Sequence, residues 1–170
     1  MSPVSDGHVC RGCDQVVDDG YVIVAGATQG LLKFAGVPRE VTSAVLSLSY
    51  SAYPVYEHDV RIYGFESATA EIAASEQDVG SLLGTLHISA VYGASDPFLD
   101  VTSFVSGTSA RYLGFRLEAG DEFSVTWLGS LEYGGAAQLF LMPVPEPSEA
   151  ALMFAGLLSL AAWLRRRTSN

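Results

Sequence analysis

Apolar and polar residues alternate along most of this chain with a period of two. In the stretch from Val41 to Tyr50, for example, Ala44, Leu46 and Leu48 alternate with serines. This period buries one side of a segment and exposes the other, which is typical of a β-strand. The same pattern recurs between glycine, proline and aspartate turns at 59–65, 85–90, 112–117 and 123–127, and the apolar segments 21–24, 31–34 and 136–142 are further candidate strands. We therefore predict an all-β fold, an antiparallel, jelly-roll-like β-sandwich of about eight strands.

One stretch of the body breaks this alternation. Val101, Phe104 and Val105 recur at the spacing of a helix, and Asp100 stands where a residue caps a first helical turn. We expect a single helical turn between two strands.

The last part of the chain has a different composition. Prolines crowd residues 143–147, which favours an extended and accessible linker. The run from Ala150 to Leu164 is uncharged and apolar except for Ser159. As a helix it would extend about 22 Å, less than the ~30 Å hydrocarbon core of a bilayer, a gap that snorkelling arginines and local thinning can narrow. Three arginines follow it, as expected on the cytoplasmic side of a membrane.

These changes in composition divide the chain into five parts. We predict a poorly ordered segment at residues 1–15 and a β-sandwich domain at 16–142. A proline-rich linker at 143–149, one hydrophobic transmembrane helix at 150–164 and a basic cytoplasmic tail at 165–170 follow.

The C-terminal segment resembles a known sorting signal. The residues in question are Val144, Pro145, Glu146, Pro147 and Ser148, then the run from Ala150 to Leu164, then Arg165, Arg166 and Arg167. Their order, lengths and position resemble the PEP-CTERM sorting signal. This resemblance implies a Gram-negative envelope protein, cleaved near Pro145-Glu146-Pro147 by an exosortase. It also implies initial anchoring in the inner membrane and a final location at the cell surface or in a biofilm matrix.

The N-terminal residues differ from the usual pattern of such proteins, which begin with a secretory signal peptide. Residues 1–20 contain neither an apolar h-region nor a basic n-region. We therefore expect a misassigned start or a trimmed sequence.

The body has a second resemblance, carried by five short segments in order. They are Gly20-Tyr21-Val22, Leu31-Leu32-Lys33-Phe34, the stretch from Val41 to Leu48, the stretch from Asp100 to Val105, and Gly114-Phe115-Arg116-Leu117. Together they look like the DNRLRE-type, carbohydrate-binding-module-like β-sandwich domains of secreted bacterial proteins. The resemblance implies the sandwich fold, whereas the namesake motif and its ligand site are not carried over.

Composition and charge exclude several function classes. The chain has 19 acidic and 9 basic residues, a net charge of −10, which argues against nucleic-acid binding. It contains neither a G-x-S-x-G nor an H-E-x-x-H motif, and we predict that it is not an enzyme; a glycoside-active enzyme is the least favoured alternative. We predict that the protein is a structural or adhesion component of the exopolysaccharide matrix.

Two ligands remain candidates for the body. Exposed aromatic rings would suit a carbohydrate, and the candidates are Tyr50, Tyr53, Tyr56 and Tyr92. A carbohydrate-binding module for surface exopolysaccharide is therefore the alternative function. No cofactor is expected beyond a structural Ca²⁺, for which the candidate ligands are Asp18, Asp19, Asp121 and Glu122.

The two cysteines form a C-x-x-C pair near the N terminus. Cys10 and Cys13 are candidates for a small disulfide loop or for two unimportant thiols. Half of a zinc site, with His8 as a third ligand, is the other alternative. Asp14 occupies the position that histidine would hold in a c-type haem motif.

Overall fold

Antiparallel strands dominate the structure, a computed structural model that describes residues 1–17, 21–38, 40–49, 57–89, 97–122, 125–129, 137–144 and 152–159. Ten strands lie within these ranges: β1 Ser5–Cys10, β2 Tyr21–Ala25, β3 Thr28–Ala35, β4 Val41–Ser47, β5 His58–Ser67, β6 Ser81–Ile88, β7 Phe98–Asp100, β8 Tyr112–Ala119, β9 Val125–Gly129 and β10 Gln138–Pro143. A 3-10 turn spans Ala74–Glu76, and helix α1 spans Thr102–Ser106.

The strands form two antiparallel sheets. The larger sheet has the order β6-β5-β8-β3-β2-β9, with β1 also paired to β3, and the smaller has the order β10-β4-β7. The main core contains buried residues of both sheets, among them Leu46, Ile62, Phe115 and Leu139. The prediction of an all-β, antiparallel sandwich is confirmed, and all eight expected strands are present.

Local sequence accounts for the helical turn between β7 and β8. The Asp100 carboxylate accepts hydrogen bonds from the Thr102 backbone N–H at 2.9 Å and from the Thr102 hydroxyl at 2.6 Å. These bonds satisfy donors at the start of α1, which otherwise have no partner within a helix. Val105 is buried in the main core, so the expected turn is confirmed, with its first helical residue at Thr102 and with Val101, rather than Asp100, at the N-cap position.

The N-terminal residues are more ordered than the sequence predicts. Strand β1 pairs with β3 along its whole length, from Ser5 opposite Lys33 to Cys10 opposite Thr28. The structure therefore corrects the expectation of a poorly ordered segment at residues 1–15. The physical reason is burial: Val9 is completely buried, so this strand contributes to a core despite its polar sequence.

That core is a second, smaller one on the outer face of the large sheet. Residues 68–80, which we call the covering segment, lie across this face. Ile72 and Ala74 of the covering segment pack against Val9, Leu31 and Phe65. Alternate residues of β3 consequently face two different cores, with Leu32 in the main core and Leu31 in the second.

The C-terminal region is described only in part. Residues 152–159 are helical and fall within the hydrophobic helix expected at 150–164. Leu152, Met153, Phe154, Leu157 and Leu158 of this helix are all exposed. Within the ranges that the structure describes, no helix has the length and apolar character needed to span a membrane.

Candidate functional site

The start of the expected sorting signal coincides with the end of the folded body. Strand β10 ends at Pro143, and the exposed Val144 donates its backbone N–H to the carbonyl of Glu40 at 3.3 Å. The remaining signal residues, namely Pro145, Glu146, Pro147, Ser148, Ala150, Leu164, Arg165, Arg166 and Arg167, lie outside the described residues.

Most of the predicted ligand-binding residues also lie outside the described part of the chain. This applies to Tyr50, Tyr53, Tyr56 and Tyr92 and to Asp18 and Asp19. Asp121 and Glu122 are exposed in the connection after β8. Among the residues that are described, no group of three or more metal-ligating side chains occurs. The calcium and tyrosine hypotheses therefore stay predictions.

The two cysteines are joined by a disulfide, which closes a four-residue loop after β1. The side-chain amide of Gln77, in the covering segment, forms two hydrogen bonds with the backbone of this loop. Its Oε1 accepts the Gly12 N–H at 2.8 Å, and its Nε2 donates to the Cys13 carbonyl at 2.9 Å. His8 is buried within β1, and its backbone pairs with Val17.

A cleft large enough for an organic ligand lies at one end of the large sheet. It has a volume of about 490 Å³, within the range of small-molecule sites. Two connections line it, residues 35–38 after β3 and residues 108–112 before β8. They meet there because Ala35 and Tyr112 are cross-strand partners.

The polar groups of this cleft come mainly from the second connection. Arg111 places its guanidinium carbon 5.3 Å from the centroid of the Tyr112 ring, a cation–π contact. Thr108 and Ser109 add hydroxyl groups to the lining. The Thr108 hydroxyl donates to the carboxylate of Glu66. The cleft thus combines an aromatic ring, a cation and hydroxyls.

Lys33, the sole lysine of the chain, is completely buried beneath the covering segment. Its Nζ forms an ion pair with Glu76 Oε1 at 2.7 Å. It also donates to the Ser67 hydroxyl at 2.8 Å and to the Glu71 carbonyl at 2.5 Å. Because a buried ammonium needs such acceptors to offset its lost hydration, this lysine fixes the covering segment on the sheet.

A second polar cluster surrounds the buried carboxylate of Glu118 on the same face. Glu118 Oε1 accepts hydrogen bonds from Gln29 Nε2 at 2.8 Å and from the guanidinium of Arg116. Arg11 Nη2 lies 3.5 Å from the same oxygen, and Arg61 Nη2 lies 3.6 Å from Oε2. Arg116 also donates from Nε to the Val79 carbonyl at 3.0 Å. Its guanidinium carbon lies 4.0 Å from the centroid of the Tyr63 ring, a cation–π contact.

The pKa of one exposed carboxyl is shifted by its local hydrogen bonds. The Thr102 hydroxyl, followed by the Thr102 backbone N–H, holds the pKa of Asp100 below its usual range. Both donors favour the ionised form of the carboxyl.

The sequence did not predict the polar clusters around Lys33 and Glu118. Their residues occupy the alternate positions of β3, β5 and β8, which a period of two assigns to solvent. One signal was available: an isolated lysine between Leu32 and Phe34, within an otherwise apolar stretch, suggests a buried and paired charge.

Comparison with models of known protein families gives no match for this chain, and comparison with curated proteins gives none either. The resemblances to PEP-CTERM proteins and to DNRLRE-type domains therefore stay predictions.

Proposed function

We propose that this chain is a non-enzymatic, exported cell-surface protein that carries a PEP-CTERM-like signal for an exosortase. Its β-sandwich would serve as a structural or adhesion component of an exopolysaccharide matrix. The observation that supports this most directly is the position of Pro143. The last strand in the described part of the chain ends there, and the Pro145-Glu146-Pro147 motif begins two residues later. A processing enzyme could therefore bind the motif without unfolding a strand.

The exposed apolar helix at residues 152–159 supports the same proposal. Leucine, methionine and phenylalanine side chains on this helix are each more than 60% exposed. Exposed apolar surface on this scale usually has a partner, and for a sorting tail that partner is the inner membrane. The tail would anchor the protein there until cleavage.

The disulfide supports export from the cytoplasm. Disulfides persist in oxidising compartments, including the periplasm and the cell surface, and are rare in the reducing cytosol. The Cys10–Cys13 bridge fits the envelope location that the sorting signal implies.

The test is to follow the C terminus in cells with and without the processing enzyme. The full chain, fused to a secretory signal peptide, would be expressed in an exosortase-containing Gram-negative host and in a deletion strain. We expect intact-mass measurement to show loss of residues 150–170 only when the enzyme is present. Glu146→Ala should abolish the cut, whereas Glu149→Ala, a matched control outside the motif, should preserve it. Retention of the tail in both strains would refute the proposal.

A carbohydrate-binding function is the second candidate, and the cleft beside Arg111 and Tyr112 favours it. Aromatic rings with neighbouring charged and hydroxyl groups suit a sugar, which presents apolar C–H faces and polar edges. The test is affinity electrophoresis through gels containing neutral or acidic polysaccharides. Binding at the cleft would be seen as retardation that Arg111→Ala reduces. Ser103→Ala, on α1 and outside the cleft, should leave it unchanged.

A further inference from the structure

A small polar cavity lies beside Glu118, apart from the cleft and the sorting signal. Its volume is about 30 Å³, and Arg11, Gln29, Arg61 and Glu118 provide its polar lining. Gly26 and Ala119 contribute to its wall. Arg11 and Arg61 stand at the rim, with side chains 60% and 43% exposed. The cavity therefore lies close to the protein surface.

Two buried polar atoms of this lining have no hydrogen-bond partner among the described residues. One is the acceptor Gln29 Oε1, and the other is the donor Arg61 Nε. The unpaired atom of Gln29 carries more weight in the argument than that of Arg61, because Gln29 is only 3% exposed. A buried polar group without a partner is costly, so such groups are usually satisfied by a bound molecule.

The orientation of the Gln29 amide is fixed by its other contact. Its Nε2 donates to Glu118 Oε1 at 2.8 Å. A flipped amide would place its oxygen against that carboxylate and lose the bond. Gln29 Oε1 therefore remains an acceptor, and it has no donor among the described residues.

Because both residues line the cavity, the two unpaired atoms limit the chemistry of any single group that contacts both. A group that satisfies both must donate to Gln29 Oε1 and accept from Arg61 Nε. A halide or carboxylate cannot donate, and an ammonium cannot accept. A hydroxyl group does both.

The volume of the cavity limits the ligand further. A bound water needs roughly 10–15 Å³ of accessible space, so this cavity holds one or two non-hydrogen atoms. A sugar ring is too large to enter. A single hydroxyl group, with the rest of its molecule outside the rim arginines, fits.

We propose that this cavity is a binding site for one hydroxyl group, supplied either by a resident water molecule or by a polyol or sugar whose hydroxyl replaces it. The site does not depend on the sorting function or on the cleft beside Arg111. The positive charges of the nearby guanidinium groups attract the lone pairs of the hydroxyl oxygen. These groups belong to Arg11, Arg61 and Arg116.

The test uses the full chain in detergent micelles and nuclear magnetic resonance of the Gln29 side-chain amide. Rotating-frame cross-relaxation with water distinguishes a long-lived bound water from hydrogen exchange by the sign of the cross-peak. We expect a water cross-relaxation peak at the Gln29 amide. Arg61→Lys keeps the positive charge but removes Nε, and it should abolish that peak. Arg111→Lys, a matched control at the cleft, should retain it.

Titration with glycerol and with D-glucose then identifies the source of the hydroxyl. A water peak that persists at saturating concentrations of both compounds, with no shift of the amide in chloride or acetate, supports a resident water. A saturable shift of the Gln29 amide with loss of the water peak supports a ligand hydroxyl. The proposal is overturned if the amide shows neither a water peak nor a polyol-induced shift. It is also overturned if chloride or acetate shifts this amide and polyols do not.

Discussion

The ring of Phe65 lies directly on the backbone of Gly114, its cross-strand partner in the large sheet. A Cβ atom added at Gly114 would collide with three carbons of that ring. Phe65 belongs to the second core, with Val9 and Leu31. The absence of a side chain at Gly114 therefore leaves room for the ring against the sheet, beneath the covering segment.

We predict that Gly114→Ala destabilises the folded protein by about 1–3 kcal/mol, the usual cost of overpacking a core. Chemical denaturation measures the free energy of unfolding. Phe65→Leu combined with Gly114→Ala should cost less than the sum of the two single changes, because the leucine lacks the ring that collides. Simple additivity of the two costs would contradict the proposed contact.

Breaking the Lys33–Glu76 ion pair should also be costly. We predict that Glu76→Gln lowers the free energy of unfolding by about 1.5–3 kcal/mol, the range for a hydrogen bond to a charged group. The matched control is Glu71→Gln, because Lys33 contacts the backbone carbonyl of Glu71 and the Glu71 side chain is exposed. Equal losses in the two variants would show that general charge, rather than this pair, is responsible.

Burial of the sole lysine predicts a protected amine. An amine-reactive reagent should leave Lys33 unmodified in the folded protein and label it after denaturation, because Nζ is enclosed by its hydrogen-bond acceptors. Mass spectrometry of the peptides measures the labelled fraction. Rapid labelling of Lys33 under native conditions would contradict the described position of the covering segment.

The hydrogen bonds at Asp100 predict a specific pH dependence. Because its pKa is lowered in the folded state, the contact stabilises the protein above the pKa of the unfolded carboxyl, and this contribution is lost as the pH falls through the folded-state pKa. Thr102→Val removes the hydroxyl and should raise the pKa of Asp100, as followed by carboxyl carbon resonances. Thr102→Ser keeps a hydroxyl and should leave this pKa low. An unchanged pKa in the valine variant would rule out the hydroxyl as the main cause.

The disulfide closes a very short loop, so its effect on stability should be small. For four residues the chain-entropy estimate is about 2 kcal/mol. We predict that Cys10→Ser with Cys13→Ser costs no more than this, as measured by thermal unfolding. Gln77→Ala in the oxidised protein would test how much of the order of this loop comes from its two hydrogen bonds instead. A loss of folding in the double serine variant would show that the bridge has a larger role.

Local periodicity was sufficient to predict most of the sandwich. In β5, for example, Val60 and Ile62 face the main core, and Arg61 and Tyr63 lie on the opposite face, as their alternation indicates. Strand β7 was missed because it has only three residues. Strand β1 was missed because its Asp6, Gly7 and His8 do not show an apolar alternation, although all three are buried.

The polar clusters could not be predicted from such local patterns. Their burial depends on the covering segment, whose contacts with β3 and β8 join residues more than thirty positions apart, as in the bonds from Lys33 to Glu71 and from Arg116 to Val79. A period of two shows which residues share a face. It does not show whether another part of the chain covers that face.

The position of Pro143 has a thermodynamic consequence for any cleavage beyond it. All ten described strands precede that point, and the last backbone hydrogen bond described between the body and the following residue is made by Val144. Cutting the chain after Val144 therefore leaves intact all the strand pairing and both cores that the structure describes. We expect the cleaved and uncleaved proteins to share one melting temperature, because these described contacts of the body are the same in both.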